Sequence, residues 1–220
     1  MSADPVSAGP RGELPGVDRL LTLSDGVVAI AITLLVLQLN VPSPASLTDA
    51  NSASQLAAQL GKDGDQLISY AISFYVIAQF WLVHHRVFRR ITGQQEGLAW
   101  WNFAFLFTIT IMPFTSDLLG KFGANPLAID IFAATLLLAT VATQLTMIYG
   151  RHRDLVTPES AQQTRAARYR GAASVFVIAL SIVIAWVNPG IAKYFWLLLA
   201  VVPHLADRLS ARQPASTELG

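Results

Sequence analysis

Cysteine is absent from this chain, which excludes a disulfide, a thiolate metal site and a cysteine nucleophile. Charge is scarce: Asp, Glu, Lys and Arg make up 13% of the 220 residues, against about a quarter in an average soluble domain. No cluster has metal-ligand spacing, and no Gly-rich phosphate loop occurs. No internal repeat is visible at half the chain's length, so the inverted-repeat signature of many secondary transporters is missing. Residues 1–16 are small, polar and rich in Pro and Gly, without the basic start and apolar stretch of a signal peptide.

Apolar residues are plentiful. They form 53% of the sequence, the mean hydropathy is +0.48, and they are gathered into long runs. A spanning helix needs about 20 mostly apolar residues. Six runs qualify, at 20–39, 66–85, 98–118, 127–149, 172–187 and 191–205. The last two are short, and Asn188-Pro189-Gly190 between them is a turn signal, so they read as a tight helical hairpin. The fold class is therefore an all-α polytopic membrane protein of six transmembrane helices. Residues 1–17 are expected to be a disordered cytoplasmic tail, 18–208 the six-span domain and 209–220 a C-terminal cytoplasmic tail. Residues 41–65 form an external connection in which 53–60 has the character of a short helix.

The 15 basic residues are distributed unevenly. All the arginines fall on one side of this span pattern: Arg11 and Arg19, then Arg86, Arg89 and Arg90, then Arg151, Arg153, Arg165, Arg168 and Arg170, then Arg208 and Arg212. The lysines, Lys62, Lys121 and Lys193, fall on the other. The positive-inside rule places both termini and the arginine-rich loops in the cytoplasm. The Arg165–Arg170 cluster reads as a topogenic, headgroup-binding segment.

The first span carries polar groups at membrane depth, where they are costly and mark functional sites. On a helical wheel, Arg19, Thr22, Gly26, Ile30, Thr33, Leu37 and Asn40 form one stripe, with Leu34 on its flank. Asp25, Ala29, Ile32 and Val36 form a second stripe about a quarter-turn away. Two readings stand. In one, this is a packing helix, with Gly26 and Ala29 allowing close approach and Asp25 bonded to a neighbour. In the other, several copies of the helix line a pore, and a ring of Ile or Leu forms a dewetting constriction. In the second span, Trp81 and His84 share a face, and His84 is expected at the depth of Asp25, where a mutual hydrogen bond would satisfy both. Pro113 is expected to kink the third span beyond Asn102. Asp130 is expected to cap or charge the fourth. Intramembrane proteolysis is set aside: the fourth span has no serine, and Asp25 has no second facing aspartate. The chain is read as a non-enzyme.

Arg19-x-x-x-Leu23-Ser24-Asp25, with Ala29-Ile30 and Thr33-Leu34-Leu35 after it, resembles the first-span signature of the transmembrane-protein-175 family of potassium channels. Trp81-x-x-His84-His85-Arg86-x-Phe88 is similar to the family's second-span motif, and Asn102 with Pro113-Phe114 to its third. Leu23 stands where the family usually has phenylalanine. The resemblance implies a potassium-permeable channel of the cell membrane without a Thr-Val-Gly-Tyr-Gly filter, a sequence absent here. For a chain with one six-span unit it implies a homotetramer with the first span lining a central pore. Ile30 would form the constriction, Leu34 and Leu37 further apolar rings, and Thr33 a polar layer meeting a transient potassium ion. Arg19, Ser24, Asp25, Trp81, His84 and Asn102 would be the signature network holding that span. No cofactor, fixed metal or nucleic-acid partner is implied. Two rival readings are a small proton-coupled transporter using Asp25 and His84 and a non-conducting membrane scaffold.

Overall fold

The computed structural model describes residues 16–49, 51–93, 95–158 and 160–200. They are helical throughout apart from loops and one isolated antiparallel bridge between Ile91 and Val156. The first helix, α1, spans Val17–Leu34 and tightens into a 3-10 turn over Leu35–Gln38. A short α2 (Ala53–Lys62) precedes three long helices, α3 (Gly64–Phe88), α4 (Glu96–Lys121) and α5 (Pro126–His152). Then come α6 (Ala161–Ala185), a single turn α7 (Pro189–Ala192) and a 3-10 run over Lys193–Ala200. Among the described residues, five helical segments are long and apolar enough to cross a membrane: α1 with its 3-10 turn, and α3 to α6. The expected sixth span, 191–205, is described only as far as Ala200; its remainder, the predicted C-terminal tail and residues 1–15 of the predicted N-terminal tail lie outside the described residues, while Val17, the last residue of that tail, already opens α1.

Local chemistry accounts for several boundaries. Ser160 and Gln163 form a reciprocal capping box, which starts α6 at Ala161, well before the apolar run at 172. The Arg165–Arg170 segment is therefore helical, and an S-x-x-Q signal in the sequence marks its start. Asn125 caps α5 by accepting from Leu127 N at 3.0 Å, and Pro126 sits at the first helical position, where its missing N–H costs nothing. Asp130, expected as the cap, lies one turn further in and accepts a hydrogen bond from Trp186 Nε1 at 3.0 Å. The α4 helix runs through Pro113.

Helices α4 and α5 are the most buried of the five and form the middle of the bundle. Their shared core is built from Phe105, Ile109 and Met112 on one side and Ile129, Phe132 and Leu136 on the other. Small residues Ala133, Ala139 and Ala142 let the helix backbones approach. The hydroxyls of Thr140, Thr143 and Thr146 donate to carbonyls one turn back in α5, so none of these three donors is left unpaired. Trp196 of the last 3-10 run packs at a tilt on Phe132, ring centroids 4.6 Å apart, and donates to Ser181 Oγ at 2.9 Å, closing the core over α6. Chain ends alternate, so the starts of α1, α4 and α6 share one end of the bundle with the ends of α3 and α5. That end carries the described arginines; Lys62, Lys121 and Lys193 lie at the other.

Ala139 is fully buried while its neighbour Leu138 is 58% exposed. Ala139→Leu should overpack the α5 contact and cost about 1–3 kcal/mol, seen as a lower melting temperature in detergent. Leu138→Ala should leave the melt almost unchanged.

Candidate functional site

Ser24 and Asp25 are neighbours on a helix, so their side chains diverge by about 100° and reach different partners. Ser24 is fully buried. Its hydroxyl donates to Leu20 O at 2.7 Å and accepts from Asn102 Nδ2 of α4 at 3.1 Å. The Asn102 Oδ1 is 2.8 Å from His84 Nε2 of α3. His84 Nδ1 is buried without a partner, so the tautomer this geometry satisfies carries its proton on Nε2 and donates to Asn102. The imidazole is stacked between Phe88 at 4.4 Å and Phe105 at 4.5 Å. Asp25 turns the other way: its Oδ1 accepts from Trp81 Nε1 at 2.7 Å.

Trp81 and His84 lie three residues apart on α3, hence on one face, and each serves a different neighbour. The expected Asp25–His84 bond is replaced by two separate ones, because adjacent residues on α1 cannot both aim at His84. Ser24, Asp25, Trp81, His84 and Asn102 are brought together; Arg19 is not. It lies on the exposed face of α1, and among the described residues its guanidinium makes no hydrogen bond.

The joint fixes the rotation of α1. Leu20, Ser24, Val28, Ala31 and Leu35 face the bundle and are buried. The wheel stripe faces away: Arg19, Thr22, Gly26, Ile30, Thr33, Leu37 and Asn40 are all exposed, with Ile30 at 61% and Leu37 at 77%. Leu34 is exposed beside them. A Cβ built on Gly26 would meet nothing within 4 Å, so this glycine allows no close approach inside the subunit. The hydroxyls of Thr22 and Thr33 donate to Asp18 O and Ile30 O, both at 2.8 Å. Each spends its one proton on its own helix and presents oxygen lone pairs outward.

A second anchor, missed by the sequence reading, holds the far end of α1. Gln38 Nε2 donates to Pro113 O, and Gln38 O accepts from Gln66 Nε2. Gln66 Oε1 accepts from Asn40 N at 3.2 Å. The available signal was a glutamine closing the first apolar run and another opening the second, at the same depth.

Replacing Asn102 with leucine strands Ser24 and His84 together. Its expected cost is about 1–3 kcal/mol, read as a lower melting temperature in detergent. Trp81→Phe, which strips Asp25 of its donor, should also destabilise. Thr110→Val should be near neutral, since that exposed hydroxyl only back-bonds to Phe107 O.

Comparison with known proteins fits this arrangement. Residues 19–113 match the family model described as endosomal/lysosomal potassium channel TMEM175. A potassium channel of Chamaesiphon minutus is 26% identical over 182 residues, covering 79% of this chain and 88% of the relative. The human endosomal/lysosomal proton channel TMEM175 is 27% identical over 155 residues, covering 69% of this chain and 29% of its own length. The crystal structure of a lysosomal potassium-selective channel TMEM175 homolog from Chamaesiphon minutus superposes with a TM-score of 0.67 at 21% identity, covering 87% of this chain and 97% of that one. The matched region holds the polar joint and the exposed stripe, and over that region the chain is similar to the TMEM175 family.

Proposed function

We propose that this protein is a potassium-permeable cation channel of the cell membrane. Four copies surround a pore lined by α1. One observation carries the reading: the α1 face that mixes Thr22, Gly26, Ile30, Thr33 and Leu37 is the face the subunit leaves uncovered. A helix turned only toward lipid has no use for a glycine costing about 1 kcal/mol and outward-facing hydroxyl oxygens. Around a shared axis, Gly26 admits neighbouring helices, and the threonine oxygens meet a cation.

In this reading both termini are cytoplasmic and a sixth span completes the subunit. Ile30 forms the constriction, with Leu34 and Leu37 as further apolar rings. Such rings open and close a pore by wetting and dewetting. They cannot replace a potassium ion's hydration shell as backbone carbonyls do, so potassium passes partly hydrated with modest preference over sodium. Thr33 offers the oxygen layer nearest Ile30. Arg19 lies at the pore mouth, on the same stripe. No catalytic chemistry, cofactor or fixed metal is assigned. The similarity of bacterial relatives named potassium channels and of human ones named proton channels makes proton permeation the matching question. The proton-coupled transporter reading is weaker, because Asp25 and His84 bond to Trp81 and Asn102 rather than to each other.

Purified protein in liposomes should pass potassium, with Ile30→Asn raising flux or eroding the potassium-over-sodium ratio and Thr33→Val lowering that ratio. If folded Ile30 variants conduct like the wild type, α1 is not the constriction. Saturable, pH-driven uptake abolished by Asp25→Asn would favour the transporter instead. A monomer in mild detergent that passes no ion would favour the scaffold.

A further inference from the structure

Asp18 and Arg19 stand side by side in the first turn of α1, and both are exposed. Adjacent residues on a helix point about 100° apart and do not face each other. Among the described residues, neither side chain makes a hydrogen bond or an ion pair. Asp25, the next carboxylate along α1, is engaged by Trp81. Two opposite charges are thus presented outward at one level of the helix that carries the exposed stripe.

The polar joint fixes where each of them points. Asp25 meets α3 through Trp81, and Ser24 meets α4 through Asn102. The uncovered face of α1 therefore has two unlike flanks. The flank beside α3 carries Asp18, Ala29 and Val36 in line with Asp25; the flank beside α4 carries Leu23 and Leu34. Asp18, Ala29, Val36, Leu23 and Leu34 are all exposed. Arg19 lies between the flanks, on the stripe with Gly26 and Thr33.

Four copies related by rotation about one axis hold their α1 helices parallel and at equal depth. Each copy then meets one neighbour through its α3-side flank and the other through its α4-side flank, a heterologous contact that closes into a ring. Asp18 of one copy comes level with Arg19 of the next, offset by about 1.5 Å along the helix. Charges flanking the seam of parallel helical bundles pair in this way. Electrostatics also requires a partner there. Four Arg19 guanidinium groups alone would set a ring of positive charge at the mouth of a cation pore and repel the permeant ion. Four Asp18 carboxylates at the same depth cancel it.

We propose that Arg19 of each copy pairs with Asp18 of the neighbouring copy, forming an intersubunit ring of ion pairs that neutralises the arginine-bearing mouth of the pore. The inference rests on the four-copy reading above and adds the contact between copies. Exposed ion pairs add little stability, so the ring acts on ion entry rather than on folding.

Lysine occurs only at positions 62, 121 and 193, at the other end of the bundle, so Arg19→Lys introduces a lysine amine where the wild type has none. A carbodiimide joins an amine to a carboxylate with which it is in contact. The full chain carrying Arg19→Lys, treated in mild detergent, should yield covalent dimers to tetramers. Peptide mass spectrometry should find the new amine joined to Asp18 in a second copy of the same peptide, a product that only two chains can form. Adding Asp18→Asn should abolish it. In liposomes, Asp18→Asn should lower potassium flux about fivefold in about 10 mM salt and barely in about 1 M salt, where the screening length falls to about 3 Å. The exchanged pair, Asp18→Arg with Arg19→Asp, should restore the flux, and the melting temperature should hold throughout. Suppose wild-type tetramers pass potassium, yet the amine links elsewhere or within one chain, or Asp18→Asn conducts like the wild type in dilute salt. The pairing is then wrong while the pore reading stands. A wild-type monomer that passes no ion would overturn the pore reading and the pairing with it.

Discussion

The structure turns on one small polar joint inside an apolar bundle. Ser24, Asn102 and His84 link α1, α4 and α3 in a chain of hydrogen bonds, and Asp25 with Trp81 adds a second link between α1 and α3. In lipid there is little hydrophobic force to hold one apolar helix against another. Leucines and valines can pack in many rotations at similar free energy. A buried hydroxyl, amide and imidazole cannot, because each wrong rotation leaves a polar group unpaired in a medium that offers no substitute. Two consecutive polar residues aimed at two different helices therefore specify the rotation of α1 more sharply than its apolar surface does.

Everything proposed about conduction follows from that rotation. With Ser24 turned inward, Ile30, Thr33 and Leu37 turn outward, and Gly26 with them. The same geometry separates polarity satisfied within the subunit from polarity turned outward along one helix. Ser24 and Asp25 are occupied by partners within the subunit. Thr22 and Thr33 give their protons to their own backbone and keep oxygen atoms facing out. In the proposed reading, conduction belongs to residues with little packing role in the single chain, and the joint serves it as a positioning device.

The two ends of the bundle are secured by different means. At the lysine-bearing end, side-chain amides do the work: Gln38 reaches the carbonyl of Pro113 and Gln66 reaches back to Gln38. Asp65 receives the almost fully buried amine of Lys193 at 2.7 Å, tying the last described segment to α3. At the arginine-bearing end, backbone bonds between two loops take that role and leave the guanidinium groups near the surface. Each end of α1 is thus held differently. The joint and the arginine-side packing of Leu20 against Phe88 and Leu98 fix one, and the glutamine pair fixes the other.

The amino-acid sequence determined the apolar spans, their alternation and the asymmetry of basic residues, because membrane insertion responds to run length and charge, which are local and additive. It also determined which face of the first span is unusual, since helical periodicity is fixed by backbone geometry. Five spans were legible for that reason, as was the short helix at Ala53–Lys62. Polar partners were not legible. That Asp25 takes Trp81 while His84 takes Asn102 depends on how three helices rotate against one another, and residues 18 and 78 positions apart carry no mark of meeting. The early start of α6 was written in Ser160 and Gln163, but outweighed in reading by the polar composition after them. The seam between the two arginine-rich loops rests on backbone bonds, which any side chain permits and none announces. Only the tertiary structure decided which groups meet, because partner choice is a competition among all buried donors and acceptors at once.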